Sequence, residues 1–357
     1  MISKQKILVS LFFIFNPFII HAEINSVSHG WGLFNRLSDS RITSLSLSTI
    51  AYPIETSSIA LINPALLSVY NERIGLTHQS RIGGMVNSEL ISFNKVIGDS
   101  SWINIGILYE GISGVPDTRN ALLDWGNDGV FGTFDPGENN GILDEGERLD
   151  ASKISYFNQN QFGLFSAISK PYKNWKLGLG IKFLIHTIDD NYALGTGINL
   201  GAFRSLENGT NIGFVLHDVP SSGVLWDNGD LEITPSSFSI GLHHLFFIKK
   251  YQIAFNPVYR LDILMKERTI DSNLLIDTVP VEFSGGIEVI YKRIIFARVG
   301  VYPSGAISTG LGMNWENMMI DYAYMIDNSI AGIDKNHIIT ISLSLDWIKN
   351  KVFNLNR

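Results

Sequence analysis

The sequence of 357 residues contains no cysteine. Without thiols the chain can form neither a disulfide framework nor a cysteine-ligated zinc site. It also lacks a basic stripe and carries a formal net charge of −7, so nucleic acid is not an expected partner. Beyond residue 22 there is no run of 18 apolar residues, and the sequence therefore predicts no membrane-spanning helix there. A chain of this size must be held together by packing, by closure of a sheet or by bound ions.

The first 22 residues have the pattern of a secretory signal peptide. Lys4 and Lys6 precede a short apolar run, and the segment ends on Ala22. A basic head, an apolar core and a small final residue are typical of such peptides. A retained membrane anchor is the alternative, although the apolar run is short and interrupted. We expect residues 1–22 to be a signal peptide.

Apolar residues beyond position 73 recur with a period of two. In KLGLGIKFLIHT the large apolar residues share one face of a strand, and glycine, lysine and histidine share the other. Such runs are about ten residues long, which is the length that a tilted strand needs to cross a bilayer. We therefore predict an all-β fold, a transmembrane antiparallel β-barrel of about 14 strands. The predicted strands are residues 73–80, 87–97, 101–112, 159–170, 175–187, 192–205, 210–218, 235–247, 251–263, 281–291, 294–302, 305–316, 318–326 and 337–347.

The lengths of the predicted connections alternate along the chain. Tight turns such as KPYKN and LENG occupy every second connection. Outer-membrane barrels have short periplasmic turns and long external loops. We therefore predict that the protein lies in the cell outer membrane of a Gram-negative-type bacterium, with the long loops outside. The long segments are residues 113–158, 219–234, 264–280 and 327–336.

Residues 23–72 do not alternate. ETSSIALINPALLSVY is typical of a short helix and a turn, with Ser57 or Ser58 as the helix cap. A segment of this length fits inside a fourteen-stranded barrel as a plug, and small inward-facing residues would leave room for it. An extension outside the barrel is the alternative. We divide the chain into a signal peptide (1–22), a plug (23–72), a barrel (73–347, with the acidic external loop 113–158) and a C-terminal tail (348–357).

The external loop contains the acidic stretch DWGNDGVFGTFDPGENNGILDEGERLD, with eight carboxylates and one arginine. Calcium loops place oxygen ligands at alternate positions, a glycine at the turn and a late carboxylate. The stretch repeats a turn-plus-acid unit, since NDGV and DPGE are followed by NNGI and DEGE. We predict bound Ca²⁺, and a solvated acidic loop is the alternative. The candidate ligands are Asp124, Asp128, Asp135, Glu138, Asn140, Asp144 and Glu147.

Polar residues on the predicted inward faces could form a network or a general-base pair. The sequence contains neither a nucleophile elbow nor a His-Glu-x-x-His run, so we expect no enzymatic activity and no catalytic residue. The adjacent His243 and His244 would point to opposite faces of a strand and cannot readily bind one ion. The inward-facing candidates are His186, His217, Glu282 and Glu288.

Both ends of the chain resemble a known superfamily. SSIALINPALLSVYNERIGLTHQS is similar to the passage from plug to first strand in FadL-type outer-membrane transport proteins. MMIDYAYMIDNSIAGIDKNHIITISLSLDW resembles the last hairpin of the PorV/PorQ branch of that superfamily. The two matches cover roughly residues 57–80 and 318–347. One departure is that many such barrels finish on an aromatic residue, whereas this chain ends on Arg357.

The resemblance implies a barrel with an N-terminal plug and two alternative functions. In FadL-type members it implies passive uptake of hydrophobic small molecules, and our first hypothesis is that the plug gates such a conduit. In the PorV/PorQ branch it implies a non-enzymatic scaffold that serves protein secretion or surface attachment. The expected partners are outer-membrane lipid and either a hydrophobic solute or a secreted protein.

Overall fold

A closed antiparallel β-barrel forms most of the protein. The computed structural model describes residues 24–25, 31–67, 72–98, 100–265, 274–276, 279–326 and 335–353. Within these residues fourteen long strands follow one another around the barrel, which confirms the predicted fold class. The predicted signal peptide, residues 1–22, lies outside the described residues. The strands are β1 (Arg73–Arg81), β2 (Val86–Ile97), β3 (Ser101–Asp117), β4 (Ser155–Tyr172), β5 (Trp175–Ile188), β6 (Asn191–Ser205), β7 (Thr210–Trp226), β8 (Leu231–His244), β9 (Ile253–Leu264), β10 (Val279–Tyr291), β11 (Ile295–Val301), β12 (Ile307–Trp315), β13 (Met318–Ile326) and β14 (Lys335–Ser344).

The barrel closes where β14 pairs with β1, with Ile341 opposite Leu76. Closure leaves no free sheet edge, so backbone donors and acceptors find partners without water. Short strands at Ile24–Asn25, Phe246–Ile248 and Leu274–Ile276 add to the sheet. The helices are α1 (Gly32–Arg36), α2 (Ser40–Thr43) and α3 (Leu345–Phe353), and 3₁₀ turns lie at Thr49–Ala51, Ile59–Leu61, Pro64–Leu66, Ile82–Gly84 and Ala151–Lys153. No helix among the described residues is long and apolar enough to cross a membrane.

The two faces of the wall differ as the alternation predicts. In β5, Phe183 and Ile185 are about half exposed on the outside, at 48% and 51%, whereas the inward-facing Lys182 is 3% exposed. Similar apolar side chains cover the outer surface of the other strands. A closed barrel with an apolar outer surface is suited to a lipid bilayer. The protein lies in the outer membrane of a Gram-negative-type bacterium, as the sequence predicts.

The connections sort by length between the two rims, with one correction. On the long-loop rim, β3 and β4 are joined by residues 118–154, and β9 and β10 by residues 265–278. The predicted long loop at 219–234 is wrong, because β7 continues to Trp226 and only four residues, 227–230, precede β8. The cause is an irregularity in β7. Its register with β8 shifts between His217 and Ser221, which breaks the alternation although the strand continues.

The C-terminal boundary also differs from the prediction. The last strand ends at Ser344 rather than at residue 347, and α3 occupies most of the predicted tail. Ser344 pairs with Arg73, the first residue of β1. Because β1 begins there, the alternating residues beyond Ser344 have no partner strand and form a helix instead. Lys349 of this helix lies 3.0 Å from the carboxylate of Glu72.

Candidate functional site

Residues 31–67, which we call the plug, lie inside the barrel. Their apolar side chains form two clusters with inward-facing wall residues. Full burial of one large apolar side chain contributes about 1.5–3 kcal/mol, so the two clusters together account for much of the docking. The first cluster includes Trp31, Leu33, Phe34 and Leu61 of the plug with Leu90, Leu108, Phe165 and Leu184 of the wall. The second includes Ile42, Leu45, Ile50 and Ile59 of the plug with Phe203, Val215 and Val258 of the wall.

Small wall residues allow the plug to approach the sheet closely. A Cβ added to Gly213 would lie 2.1 Å from the carbonyl oxygen of Ile50. A Cβ added to Gly178 would lie 2.2 Å from the carbonyl carbon of Pro64. Both distances are far below van der Waals contact. The glycine-rich inward face therefore has a direct structural role, which is to admit the plug backbone.

A buried charge cluster joins the plug to the wall. The Arg41 guanidinium of α2 donates to both carboxylate oxygens of Glu288 in β10, at 2.8 and 2.9 Å. The Arg298 Nε donates to the same carboxylate at 2.6 Å, and the Tyr52 hydroxyl donates to it as well. Arg298 also lies 2.6 Å from Asp321. Two cations and two carboxylates balance each other here, as buried charges require.

A second polar anchor holds the start of the plug. The Trp31 Nε1 donates to Asp218 Oδ1 at 3.0 Å, and Lys182 Nζ donates to the same atom at 2.5 Å. The Ser222 hydroxyl also donates to it at 2.5 Å. Asp218 lies in the irregular part of β7, where the register with both neighbouring strands shifts. The register shift that made β7 look shorter in the sequence thus places the Asp218 carboxylate against the plug.

A cavity of about 250 Å³, which we call the outer cavity, lies between the plug and the wall toward the long-loop rim. Phe34, Leu47, Leu61 and Ile62 of the plug form its apolar floor. Polar wall residues lie opposite them. These wall residues include Lys182, His217, Asp218, Arg260 and Asp262.

A larger cavity of about 890 Å³, which we call the inner cavity, lies toward the short-turn rim. Tyr52, Ile54 and Glu55 of the plug line it together with residues near the ends of β1, β6, β8 and β9. Between the two cavities the turn Thr49–Ala51 packs against β7, β8 and β9. The plug therefore separates two cavities inside the barrel, one toward each rim.

The four polar residues predicted to face inward do face inward, but they do not form a pair. Glu288 belongs to the charge cluster described above, and Glu282 lines the outer cavity. His186 contacts Gln159 at 3.0 Å, and His217 contacts Ser239 at 3.0 Å. Among the described residues, none of these hydrogen bonds joins two of the four. Of the two adjacent histidines, His243 faces inward and stacks on Tyr52 with ring centroids 4.2 Å apart, while His244 contacts Thr210.

The carboxylates of the acidic loop hold its own turns together. Asp124 accepts backbone N–H bonds from Asn140 and Gly141, at 3.1 and 2.8 Å. Glu147 accepts from the N–H groups of Gly126 and Asp144, at 2.8 and 2.9 Å. Residues 124–147 thus form linked turns whose orphan backbone donors are satisfied by side chains.

The remaining predicted ligands behave in the same way. Asp128 accepts the N–H of Val130, Asp135 that of Asp128, Glu138 those of Gly132 and Phe134, and the Asn140 amide donates to Asp144. Among the described residues, no group of three Asp, Glu or His side chains is placed to hold a metal ion. These carboxylates therefore have a role that needs no metal, and Ca²⁺ binding stays a prediction. At the end of the loop, hydrogen bonds from the Ser152 hydroxyl and N–H hold the pKa of Asp150 below its usual value.

Sequence reasoning missed the residues that anchor the plug. Arg298 carries a recognisable signal, since it is a charged residue at an inward position of an alternating strand. Asp218 has no such sequence signal, because the alternation of apolar and polar residues breaks at that position. Arg41 and Tyr52 lie in a segment without periodicity, so nothing in the sequence indicated their partners.

Comparison with known proteins supports the fold. No protein-family model matches the sequence, and no curated protein matches it. Among solved structures, the toluene transporter TbuX of Ralstonia pickettii is similar, with 12% identity, a TM-score of 0.52 and coverage of 86% of this chain and 98% of that chain. A deltaS2 mutant of the TodX monoaromatic hydrocarbon channel has 11% identity, a TM-score of 0.50 and coverage of 85% and 96%; TodX itself is a Pseudomonas putida protein. A FadL homologue of Pseudomonas aeruginosa has 12% identity and a TM-score of 0.49, with coverage of 85% and 97%.

At such low identity the likeness shows the fold alone. The barrel shares its fold with the toluene transporter and with the monoaromatic hydrocarbon channel variant. The more specific resemblance to the PorV/PorQ branch stays a prediction.

Proposed function

We propose that the protein is a passive channel for hydrophobic small molecules, with the plug as its gate. The observation that carries this proposal is the position of the plug between the outer and inner cavities. Support at the level of the fold comes from structures that are described as a toluene transporter and a monoaromatic hydrocarbon channel. A conduit of this kind needs binding, passage and release, and no covalent chemistry.

The outer cavity fits a small solute with apolar surface. An apolar protein cavity of about 150 Å³ is large enough to hold benzene. The outer cavity of about 250 Å³ therefore has room for a molecule with one ring, which would lie against the plug residues Phe34, Leu47, Leu61 and Ile62. Burial of apolar surface contributes roughly 25 cal/mol per Å², so a molecule of this size would be held weakly enough to leave again.

Passage requires the turn Thr49–Ala51 to move. The turn packs directly on the backbone of β7 and β8, where Gly213 and Gly241 leave no gap to Ile50. A solute that enters the outer cavity reaches the inner cavity when this turn shifts away from the wall. The gate in this proposal is thus a displacement of part of the plug, with the barrel unchanged.

Two engineered disulfides test the gate. The native chain has no cysteine, so introduced thiols can pair only with each other. Ser40 Oγ of the plug lies 2.9 Å from Thr340 Oγ1 of the wall, and Thr77 Oγ1 lies 2.9 Å from the same atom. The double variant Ser40→Cys/Thr340→Cys fixes the plug to the wall, whereas Thr77→Cys/Thr340→Cys links two wall strands and leaves the plug free.

The assay is uptake of labelled toluene by cells that express each variant under oxidising and reducing conditions. We expect oxidation to stop uptake through the Ser40–Thr340 variant and a reductant to restore it, while the Thr77–Thr340 control transports in both states. Equal uptake by the oxidised and reduced Ser40–Thr340 variant would refute gating by the plug. Uptake no greater than in cells without the protein would refute the channel itself.

The acidic loop favours a second candidate function, docking of a secreted protein. Five apolar side chains of the loop are 55–88% exposed among the carboxylates. Exposed apolar side chains with an acidic border suit a partner whose surface is apolar and basic. Replacing all five by serine should remove a crosslinked partner in whole cells without changing toluene uptake, and the candidate fails if no crosslink depends on them. The five residues are Val130, Phe131, Phe134, Ile142 and Leu143.

A further inference from the structure

The inner cavity contains a buried guanidinium that is incompletely paired. Arg73, the first residue of β1, is 5% exposed. Its Nε and Nη1 have no hydrogen-bond partner among the described residues. The carboxylate of Glu55 lies 3.8 Å from Nη2, which is beyond hydrogen-bond distance. Buried donors without acceptors are unfavourable by about 1–3 kcal/mol each, so a ligand that supplies acceptors would be stabilised at this position.

Other polar groups of the inner cavity favour an anion. Its lining contains four basic side chains against the two acidic side chains Glu55 and Glu316. One of the four, Arg41, is already paired with Glu288, and a second, Lys176, lies over the rings of Trp102 and Phe203. Asn256 also faces the cavity, and its Nδ2 has no hydrogen-bond partner among the described residues. The other three basic residues are Arg73, Lys176 and Arg293.

The lining also contains apolar side chains, several of them aromatic. Phe203, Phe247 and Phe296 line the cavity together with Tyr52. A ligand that fits both parts of the lining carries one anionic group and a compact aromatic body. The guanidinium geometry suits a carboxylate or a phosphate, because both accept two parallel N–H bonds.

We propose that the inner cavity is a binding site for an amphipathic anion, whose anionic group Arg73 holds and whose aromatic or apolar body contacts the phenylalanines. This inference deepens the proposed function and rests on it in one respect, since it names the class of solute that reaches the periplasmic side. The anion is either the carboxylate of a free aromatic acid or the phosphate of a lipid headgroup. Two arms of the experiment below separate these sources.

The first arm is isothermal titration of the purified protein, in an uncharged detergent, with benzoate and with its neutral counterpart benzamide. We expect benzoate to bind at least about tenfold more tightly than benzamide. The change Arg73→Gln should weaken benzoate binding about tenfold or more, because a hydrogen-bonded charge is lost, and Arg73→Lys should keep part of the affinity. The matched control is Lys292→Gln, which removes a positive charge from the same rim but outside the cavity lining and should change nothing.

Equal affinities for benzoate and benzamide, or an unchanged benzoate affinity in Arg73→Gln, would overturn the inference. The second arm titrates phosphatidylglycerol in the same detergent. If this lipid binds in an Arg73-dependent manner and benzoate does not, the site holds a lipid headgroup and the assignment of a solute class is overturned. Each variant is first checked for folding by gel electrophoresis, where an unheated closed barrel migrates differently from the heated protein. Only folded variants are compared.

Toluene uptake distinguishes this inference from the proposed function. If wild-type cells take up toluene but the purified protein does not prefer benzoate to benzamide, the channel is supported and the anion site is refuted. If the protein binds benzoate through Arg73 but supports no uptake of toluene or benzoate, the anion site is supported and the channel is refuted.

Discussion

Glu288 is the wall residue whose neutralisation should most strongly loosen the plug. Its carboxylate accepts hydrogen bonds from Arg41 and Tyr52 of the plug and from Arg298 of the wall. The change Glu288→Gln removes the carboxylate that both buried guanidinium groups share, and Arg298 keeps its contact with Asp321. Removal of one partner from a buried ion pair typically destabilises by 3–5 kcal/mol. We assign about 3 kcal/mol of this to plug docking, since Arg298 keeps its contact with Asp321.

A thiol in the plug measures this effect directly. Thr49 lies in the gating turn and is 0% exposed, and its hydroxyl has no hydrogen-bond partner among the described residues. Thr49→Cys therefore introduces a buried thiol into a chain without other cysteines at little structural change. Labelling by a membrane-impermeant maleimide then requires local opening of the plug. With about 3 kcal/mol less docking energy, Glu288→Gln should raise the labelling rate about 100-fold.

The control for this experiment is Asp321→Asn. Asp321 contacts Arg298 within the wall, so its neutralisation removes one buried carboxylate without removing an acceptor of the plug. Labelling in this variant should rise much less than in Glu288→Gln. Equal labelling rates in the two variants, or a Glu288→Gln rate equal to that of the Thr49→Cys parent, would refute the assignment of Glu288 as the plug anchor.

Two further predictions concern the close approach of the plug and the acidic loop. Gly213→Val should displace the plug and raise the labelling of Thr49→Cys, because even a Cβ would lie 2.1 Å from the carbonyl oxygen of Ile50. Gly223→Ala should not, because the atom nearest to a Cβ there, a methyl carbon of Leu231, is 3.6 Å away. Calorimetric titration with calcium tests the loop: heat that disappears in Asp124→Ala/Glu147→Ala is expected from an ion site, and no heat from the wild type would exclude one, leaving the carboxylates as caps of backbone N–H groups.

The wall of the barrel was readable from the sequence because one physical constraint acts on it along its whole length. Lipid outside and a packed lumen inside force the side chains of each strand into alternation, as between Phe183 and Lys182. The pattern is local, so fourteen strands and their faces follow from neighbours in the chain. The alternation is lost where a strand is irregular or has no neighbouring strand. At Asp218 the strand is irregular, and beyond Ser344 there is no partner strand.

The candidate site was much less readable, because its contacts join residues that are far apart in the chain. Arg41 and Glu288 are separated by 247 positions, and Trp31 and Asp218 by 187. The plug has no repeating pattern from which a partner could be inferred, and its short helices are fixed by contacts with the wall more than by local preference. The acidic loop shows the opposite error, since a local pattern typical of ion ligands is also satisfied by backbone N–H groups of the loop itself.

The wall and the plug are held by different kinds of interaction, which lets the protein combine a rigid wall with a movable plug. The wall is held by a continuous set of backbone hydrogen bonds, which cannot open one at a time without exposing polar groups to lipid. The plug is held by apolar contacts and by two groups of charged side chains, around Glu288 and around Asp218. The turn Thr49–Ala51 directly precedes Tyr52, separates the cavities and is held to β7 and β8 mainly by close packing. Tyr52, the residue after the turn, donates to Glu288. We therefore expect the turn to shift only when the contacts around Glu288 loosen, while the contacts around Asp218 can stay in place.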